Sequence, residues 1–387
     1  FMTLLKGSGS VNLKVGVPWT KKEFVERAIE VDHPFTTGAV QFAGDALKAL
    51  FEILTLGPSA IMNKRRDFVS MVKAWSVELQ PDEERIRGAM HPDVRAVVGD
   101  SIALIGRLVS YMIHPDKKLA SDMAAGFKTL GVLDPCGVYP DYVPNPALNI
   151  KDLFTIARWA QHAAKGHVRK LSGSDDTALK KCMEEAGEGG PLRGPFTPQE
   201  VSELLGPLWL PAPRFMVKND RAVVDGSIYG QNSTVAPGWV LGGLDEVVGL
   251  AGAWVRAVGR NRVVQIRLPC GRELVGTLSG ELSLEDAVDL VGRLTDLKGA
   301  YKQFAQFPGH AFASVVTAWD PERECTVHFI SRALLFGQSG AVYGFNRVSK
   351  FVTCVATQLA SLVVSGFYDD FTQLELSRLA GSAKDTL

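Results

Sequence analysis

The chain has 387 residues, 46% hydrophobic and 22% charged, which is enough apolar material for two or three packed domains and too much for a disordered chain. Lys plus Arg and Asp plus Glu both number 42, so a zero formal charge supplies no global attraction to nucleic acid, although it leaves room for a local basic surface. The five cysteines (Cys136, Cys182, Cys270, Cys325, Cys354) form no CxxC pair and have no His at metal-ligand spacing, which speaks against structural zinc and fits a reducing compartment.

The chain opens on Phe1 rather than Met and shows no signal peptide, so we expect a trimmed piece of an intracellular protein of the cytoplasm or nucleus. Residues 1–185 read as a mostly helical region of no assignable role. Thr20 and Glu23 form a capping box, and apolar residues recur at helical spacing over 40–54, 63–75, 94–112 and 150–164. The most apolar long window, 93–114, contains Asp100 and Arg107 and reads as a buried helix, so no membrane partner is expected. Two small basic clusters, Lys64-Arg65-Arg66 and His167 with Arg169 and Lys170, read as solvated helix faces. The polar, Gly-rich stretch near 172–195 predicts a linker.

A second capping box, Thr197 to Glu200, then starts a short helix ending near Gly206. Residues 214–227 read as strand, turn, strand, with Asn219-Asp220 at the turn, and 262–280 as a hairpin turning at Cys270-Gly271. The spacing predicts a helix over 283–294, two strands around Asp320-Pro321, a long helix over 339–362 and a closing hairpin over 363–376. Strands and helices mix without a regular βαβ repeat, so the expected class is α+β.

In that closing hairpin Asp369 and Asp370 stand side by side between "VVSGF" and "FTQLEL". Adjacent like charges repel, so the pair is either a solvated turn or a site for something positive. Phosphoryl and nucleotidyl transfer uses two divalent ions held by a few carboxylates, and Mg²⁺ prefers such oxygen ligands. Asp296 is a third candidate acid, preceding Ala300 and Tyr301; its alternative is a helix N-cap.

"DLKGAYKQF" (296–304), "ALLFGQSGAVYGFNRV" (333–348) and "FYDDF" (367–371), in this order, resemble the palm motifs of reverse transcriptases, most closely those of retroelement pol polyproteins. "RFMVKNDRAVVDGSIYGQN" (214–232) is similar to the fingers strands of that family. The resemblance implies a right-hand polymerase palm and fingers, an antiparallel sheet with packed helices, preceded by the helical region. It divides the chain into the helical 1–185, a fingers-like 196–292 with an insertion, and a palm-like 293–387 without a thumb. The implied activity is RNA-directed DNA polymerisation, in which dNTPs are added to a primer 3′-hydroxyl on an RNA or DNA template.

By the same resemblance Asp296, Asp369 and Asp370 are catalytic. With the Leu297 carbonyl they hold two Mg²⁺ ions, for which Mn²⁺ can substitute. Tyr301 excludes a ribose 2′-hydroxyl. Lys218 and Arg221 grip the triphosphate, with Arg214 a rival for Lys218 and Asp225 a supporting acid. Phe336 and Gly337 form the loop that approaches nucleotide and template. The chain departs from the family pattern at "QSGAVYG", which lacks a Pro, and at Lys298-Gly299. It ends at Leu387, shortly past "FYDDF", so weak or no activity is expected of this piece alone. Two other readings stand beside it. One is a degenerate, non-catalytic palm-fold remnant acting as a nucleic-acid-binding or interaction module. The other is a helical scaffold whose acid pair is only a turn, and it requires Asp296 to lie far from Asp369.

Overall fold

The structure, a computed structural model, describes residues 2–6, 9–13, Thr20, Glu23, 44–140, 143–187, 189–218, 221–236 and 243–386. It is α+β. A hairpin, β1 (Met2–Lys6) with β2 (Gly9–Leu13), precedes the helical stretch, where no strand was expected. The first capping box is made: the Thr20 N–H donates to Glu23 Oε2 at 2.9 Å and the Glu23 N–H to Thr20 Oγ1 at 3.3 Å. Most of the helix it was expected to open lies outside the described residues.

The helices α1 (Gly44–Leu56), α2 (Pro58–Glu78), α3 (Gln80–Ala89), α4 (Pro92–Arg95), α5 (Ile102–Tyr111), α6 (Leu119–Ala125) and α7 (Ile150–Ser172) follow. Gly57, at φ +86°, separates α1 from α2, and Pro58 takes the first helical position, where a missing N–H costs nothing. Asn149 and Asp152 close a reciprocal cap on α7.

The expected linker is instead secondary structure. Residues 172–195 contain α8 (Thr177–Glu185) and all but the last residue of β3 (Leu192–Phe196). Ala178 and Cys182, one turn apart, are both buried, and Cys182 shares a core with Leu192, so the polar stretch is amphipathic and belongs to the core. After it α9 (Pro198–Leu205) starts on the second capping box, with the Thr197 N–H 2.7 Å from Glu200 Oε2.

Next come β4 (Pro211–Val217) and β5 (Arg221–Val224), an antiparallel pair whose expected turn residues Asn219 and Asp220 lie outside the described residues. They precede α10 (Leu244–Ala257) and the hairpin of β6 (Val263–Arg267) and β7 (Glu273–Thr277). The helix expected over 283–294 is not formed. Ser283 and Asp286 exchange hydrogen bonds that close a single 3₁₀ turn, and β8 (Leu290–Asp296) begins directly after it. The remaining elements are β9 (Val315–Asp320), β10 (Cys325–Ser331), α11 (Ser339–Ala360), β11 (Val363–Phe367), β12 (Asp370–Leu376) and α12 (Ala380–Thr386).

Two sheets organise the chain. One runs β3-β10-β9-β4-β5, antiparallel except for the parallel pair β4–β9; the other runs β11-β12-β8 and is antiparallel throughout. Along β12 side chains alternate between faces. Phe371 packs with Ala356 and Ala360 of α11 and Ala383 of α12, while Leu374 and Leu376 join a core with α1, α10 and β6. Ala46, Leu250 and Val363 meet in that core, so the stretches expected as 1–185, 196–292 and 293–387 all contribute to it. Among the described residues no helix is long and apolar enough to cross a membrane.

Candidate active site

The register of the three-stranded sheet places Asp370 directly opposite Asp296. Opposed residues of an antiparallel pair are about 4.5–5.5 Å apart at Cα. Asp369 occupies the two-residue turn between the paired Phe367 and Asp370, and Tyr368 takes the positive φ, +54°, that such a turn needs. The Leu297 N–H donates to the Asp369 carbonyl at 3.3 Å, tying the end of β8 to the turn. Asp296 therefore ends a strand and caps no helix, and the scaffold reading, which needs Asp296 far from Asp369, does not fit this geometry.

The arrangement is electrostatically unsatisfied. Like charges opposed across a ladder destabilise it. Burial, followed by the charges of Asp296 and Asp370, pushes the Asp369 carboxyl above its ordinary value, while a backbone hydrogen bond and Arg221 pull the other way. Among the described residues no three His, Cys, Asp or Glu side chains close into a preformed metal cage. Mg²⁺ does not ask for one, because it keeps waters and takes only one or two carboxylates together with substrate phosphates. The donor set of hard oxygens under mutual repulsion fits that ion. The Leu297 carbonyl, expected as a further ligand, already accepts the Ala300 N–H at 3.1 Å, which leaves it one lone pair.

Asp296 and Asp369 line a cavity of about 350 Å³ together with Leu297, Tyr301, Arg221 and Phe336. Tyr301 is buried, its ring stacked on Phe345 with centroids 4.8 Å apart and edge-on to Phe336 at 5.6 Å. Its hydroxyl is buried and has no hydrogen-bond partner among the described residues. Burial, then the neighbouring Tyr368 and Asp369, push that phenol well above its ordinary value. Arg221 is exposed at the start of β5 and feels Asp369.

Other expected residues fall elsewhere. Lys218 is exposed beyond the end of β4 and is not on the cavity wall. Arg214 is on the wall but is committed: its guanidinium forks onto Glu185 at 2.6 and 2.7 Å, and Lys302 Nζ joins the same carboxylate at 2.8 Å. Against desolvation, which alone would raise it, these two cations hold the Glu185 carboxyl below its ordinary value. Asp225 accepts the Ser227 and Ile228 N–H groups at 2.9 and 3.0 Å, so it shapes a turn. The Glu185 cluster was not anticipated because α8 lay in the expected linker; the spacing of Ala178 and Cys182 was the available signal.

Phe336 is half-exposed on the wall, and its carbonyl accepts the Val224 N–H at 3.0 Å. Gly337 is absent from the cavity wall and serves the packing of this loop on β5. It takes φ +114°, and a Cβ there would lie 2.0 Å from the Val224 carbonyl oxygen. Gly337→Ala is accordingly expected to destabilise the chain by about 2–3 kcal/mol through strain and overpacking, read as a lowered urea midpoint at unchanged slope.

Beneath the acid hairpin the Lys64-Arg65-Arg66 cluster departs from a solvated face. Arg65 is only 1% exposed; it donates to the Ala360 and Ser361 carbonyls, each at 3.1 Å, and forms an ion pair with Glu375 of β12. Lys64 pairs with Glu52 at 2.6 Å. No protein-family model matches the sequence, and no curated protein matches it.

Proposed function

We propose that the chain is a nucleotidyl transferase of reverse-transcriptase type, with β8, β11 and β12 as its palm and the β4–β5 hairpin as part of its fingers. The observation that carries this reading is the register pair Asp296–Asp370 with Asp369 in the adjoining turn, beside a cavity that also holds Tyr301 and Arg221. Two Mg²⁺ ions bound by these oxygens supply activation of a primer 3′-hydroxyl and neutralise charge on the transferred phosphoryl group.

The chain's own residues bind and orient. Arg221 presents a planar fork to triphosphate oxygens, and no described carboxylate forms a salt bridge with it. Tyr301, held on Phe345, gives the cavity a stiff wall that leaves room for a deoxyribose and crowds a 2′-hydroxyl. The half-exposed Phe336 offers apolar surface to a base. A non-catalytic interaction module would gain nothing from three carboxylates that repel one another, which favours the catalytic reading.

Calorimetric titration of the chain with a dNTP tests the proposal. Binding is expected in Mg²⁺ and none in EDTA. Arg221→Ala should weaken it about ten- to a hundred-fold, the worth of a charge-assisted hydrogen bond. Equally strong binding with and without Mg²⁺ would overturn the reading.

A further inference from the structure

The inner face of α7 buries Leu153, Ala157 and Ala160 against Leu210 and Tyr229. Along an exposed flank of the helix Lys151, Arg158, His162, Lys165 and Arg169 recur at intervals of seven, four, three and four, which sets them in one row along the helix. All five are exposed, and the row is about 27 Å long at 1.5 Å per residue. None of its four Lys and Arg residues forms an ion pair with a described residue. Lys165 and Arg169 instead rest on the ring of Trp319, 5.9 and 5.7 Å from its centroid, which positions their charges. The only acid of α7, Asp152, is spent on the helix cap, where it accepts the Asn149 N–H at 2.8 Å. Beside the row stands Trp159, 59% exposed and braced edge-on by Tyr229 at 5.8 Å.

We infer that this face of α7 docks single-stranded nucleic acid, with the row on phosphates and Trp159 stacking on a base. In a chain whose charges balance overall, an uncompensated line of cations is a local polyanion site. The rigid exposed indole beside it selects a nucleic acid over an acidic protein surface, because every base offers a face to stack on. An anionic bilayer would ask for a broad free apolar face, whereas Phe154 of α7 is stacked on Phe312 at 4.7 Å. The surface is separate from the cavity: Trp319 of β9 turns towards α7, while its neighbour Ala318 packs with Cys182 of α8 on the other side of the sheet. The inference does not rest on the metal site.

Fluorescence anisotropy with a labelled, unstructured RNA oligonucleotide tests it across a salt series. The triple variant Lys151→Ala/Arg158→Ala/Lys165→Ala should lose at least about ten-fold in affinity, and its log–log salt slope should shrink by about 2. Trp159→Ala should weaken binding about ten-fold and leave the slope unchanged. Wild-type melting temperatures in both variants verify the fold. Mg²⁺-dependent dNTP binding by the triple variant is expected unchanged, so this inference and the metal-site reading fail separately. Wild-type RNA affinity and slope in both variants, or no salt-dependent RNA binding by the unaltered chain, overturns the inference. So does a triple variant that loses binding to anionic phospholipid vesicles but keeps binding to RNA.

Discussion

Replacing Asp369 by Asn is expected to abolish Mg²⁺-dependent dNTP binding and, in the same protein without metal, to raise the melting temperature. The two effects have one cause. Asp369 is partly withdrawn from water and stands within the field of Asp296 and Asp370, so its charge is unfavourable without a neighbouring cation. On the proposed reading, deleting that charge removes a metal ligand, and affinity should fall at least about a hundred-fold, since even outer-sphere partners cost ten- to a hundred-fold. It also removes repulsion. At a site this open each like-charged neighbour costs about 1 kcal/mol or less, enough to shift the melting temperature by about 1–3 °C.

The sign of the pH dependence follows from the direction of the shift. The folded chain holds the Asp369 proton more tightly than the unfolded chain, whose carboxyl keeps its ordinary value of 3.8. Below that value the cost of the desolvated, repelled charge is absent; stability falls as pH rises towards the raised value, and above it the cost is fully present. The stabilisation by Asp369→Asn should therefore appear at neutral pH and fade on acidification. Calorimetric melts at several pH values measure it directly. A solvated turn would change neither observable, and a purely structural carboxylate would lower the melting temperature on removal.

Local chemistry carried much of the fold into the sequence. The two capping boxes, the Cys270-Gly271 turn, the long helix α11 and the final hairpin each depend on residues within a few positions of one another, and each is present. What failed depends on distant partners. β8 is an edge strand with little burial; Leu290 and Leu294, four apart, mimic a helical face, while the strand is defined by β12, far along the chain. The polar residues of α8 hid a helix whose reason lies in the sheet beneath it and in Arg214 of β4. Arg65 sits in a run of cations, and nothing nearby announces that Glu375 and the end of α11 meet it in the core. The acids were visible as residue types, but their mutual placement became definite only with the β8–β12 register.

Arg65→Ala should unfold the chain more readily than any loss at the site itself, by about 3–5 kcal/mol, because it leaves the buried Glu375 carboxylate without its counter-charge. It also strips the donor from the Ala360 and Ser361 carbonyls, where the negative end of α11 favours a cation. A second substitution separates these contributions. Arg65→Met/Glu375→Leu replaces the ion pair with apolar volume and should recover most of the loss, since such exchanges are often neutral or better. Recovery should stop short by about 1–3 kcal/mol, the penalty of carbonyls left unsatisfied. Urea titrations of the single and double variants read both numbers; a double variant as unstable as Arg65→Ala would show that the carbonyls, rather than the buried charge, carry the effect. The position of the pair gives the measurement its wider meaning. Glu375 and Asp370 lie on one strand, so β12 is clamped to α2 and α11 near its far end and carries opposed carboxylates at its near end. A hairpin anchored in that way can hold repelling acids in register, which a metal site requires before any metal is bound.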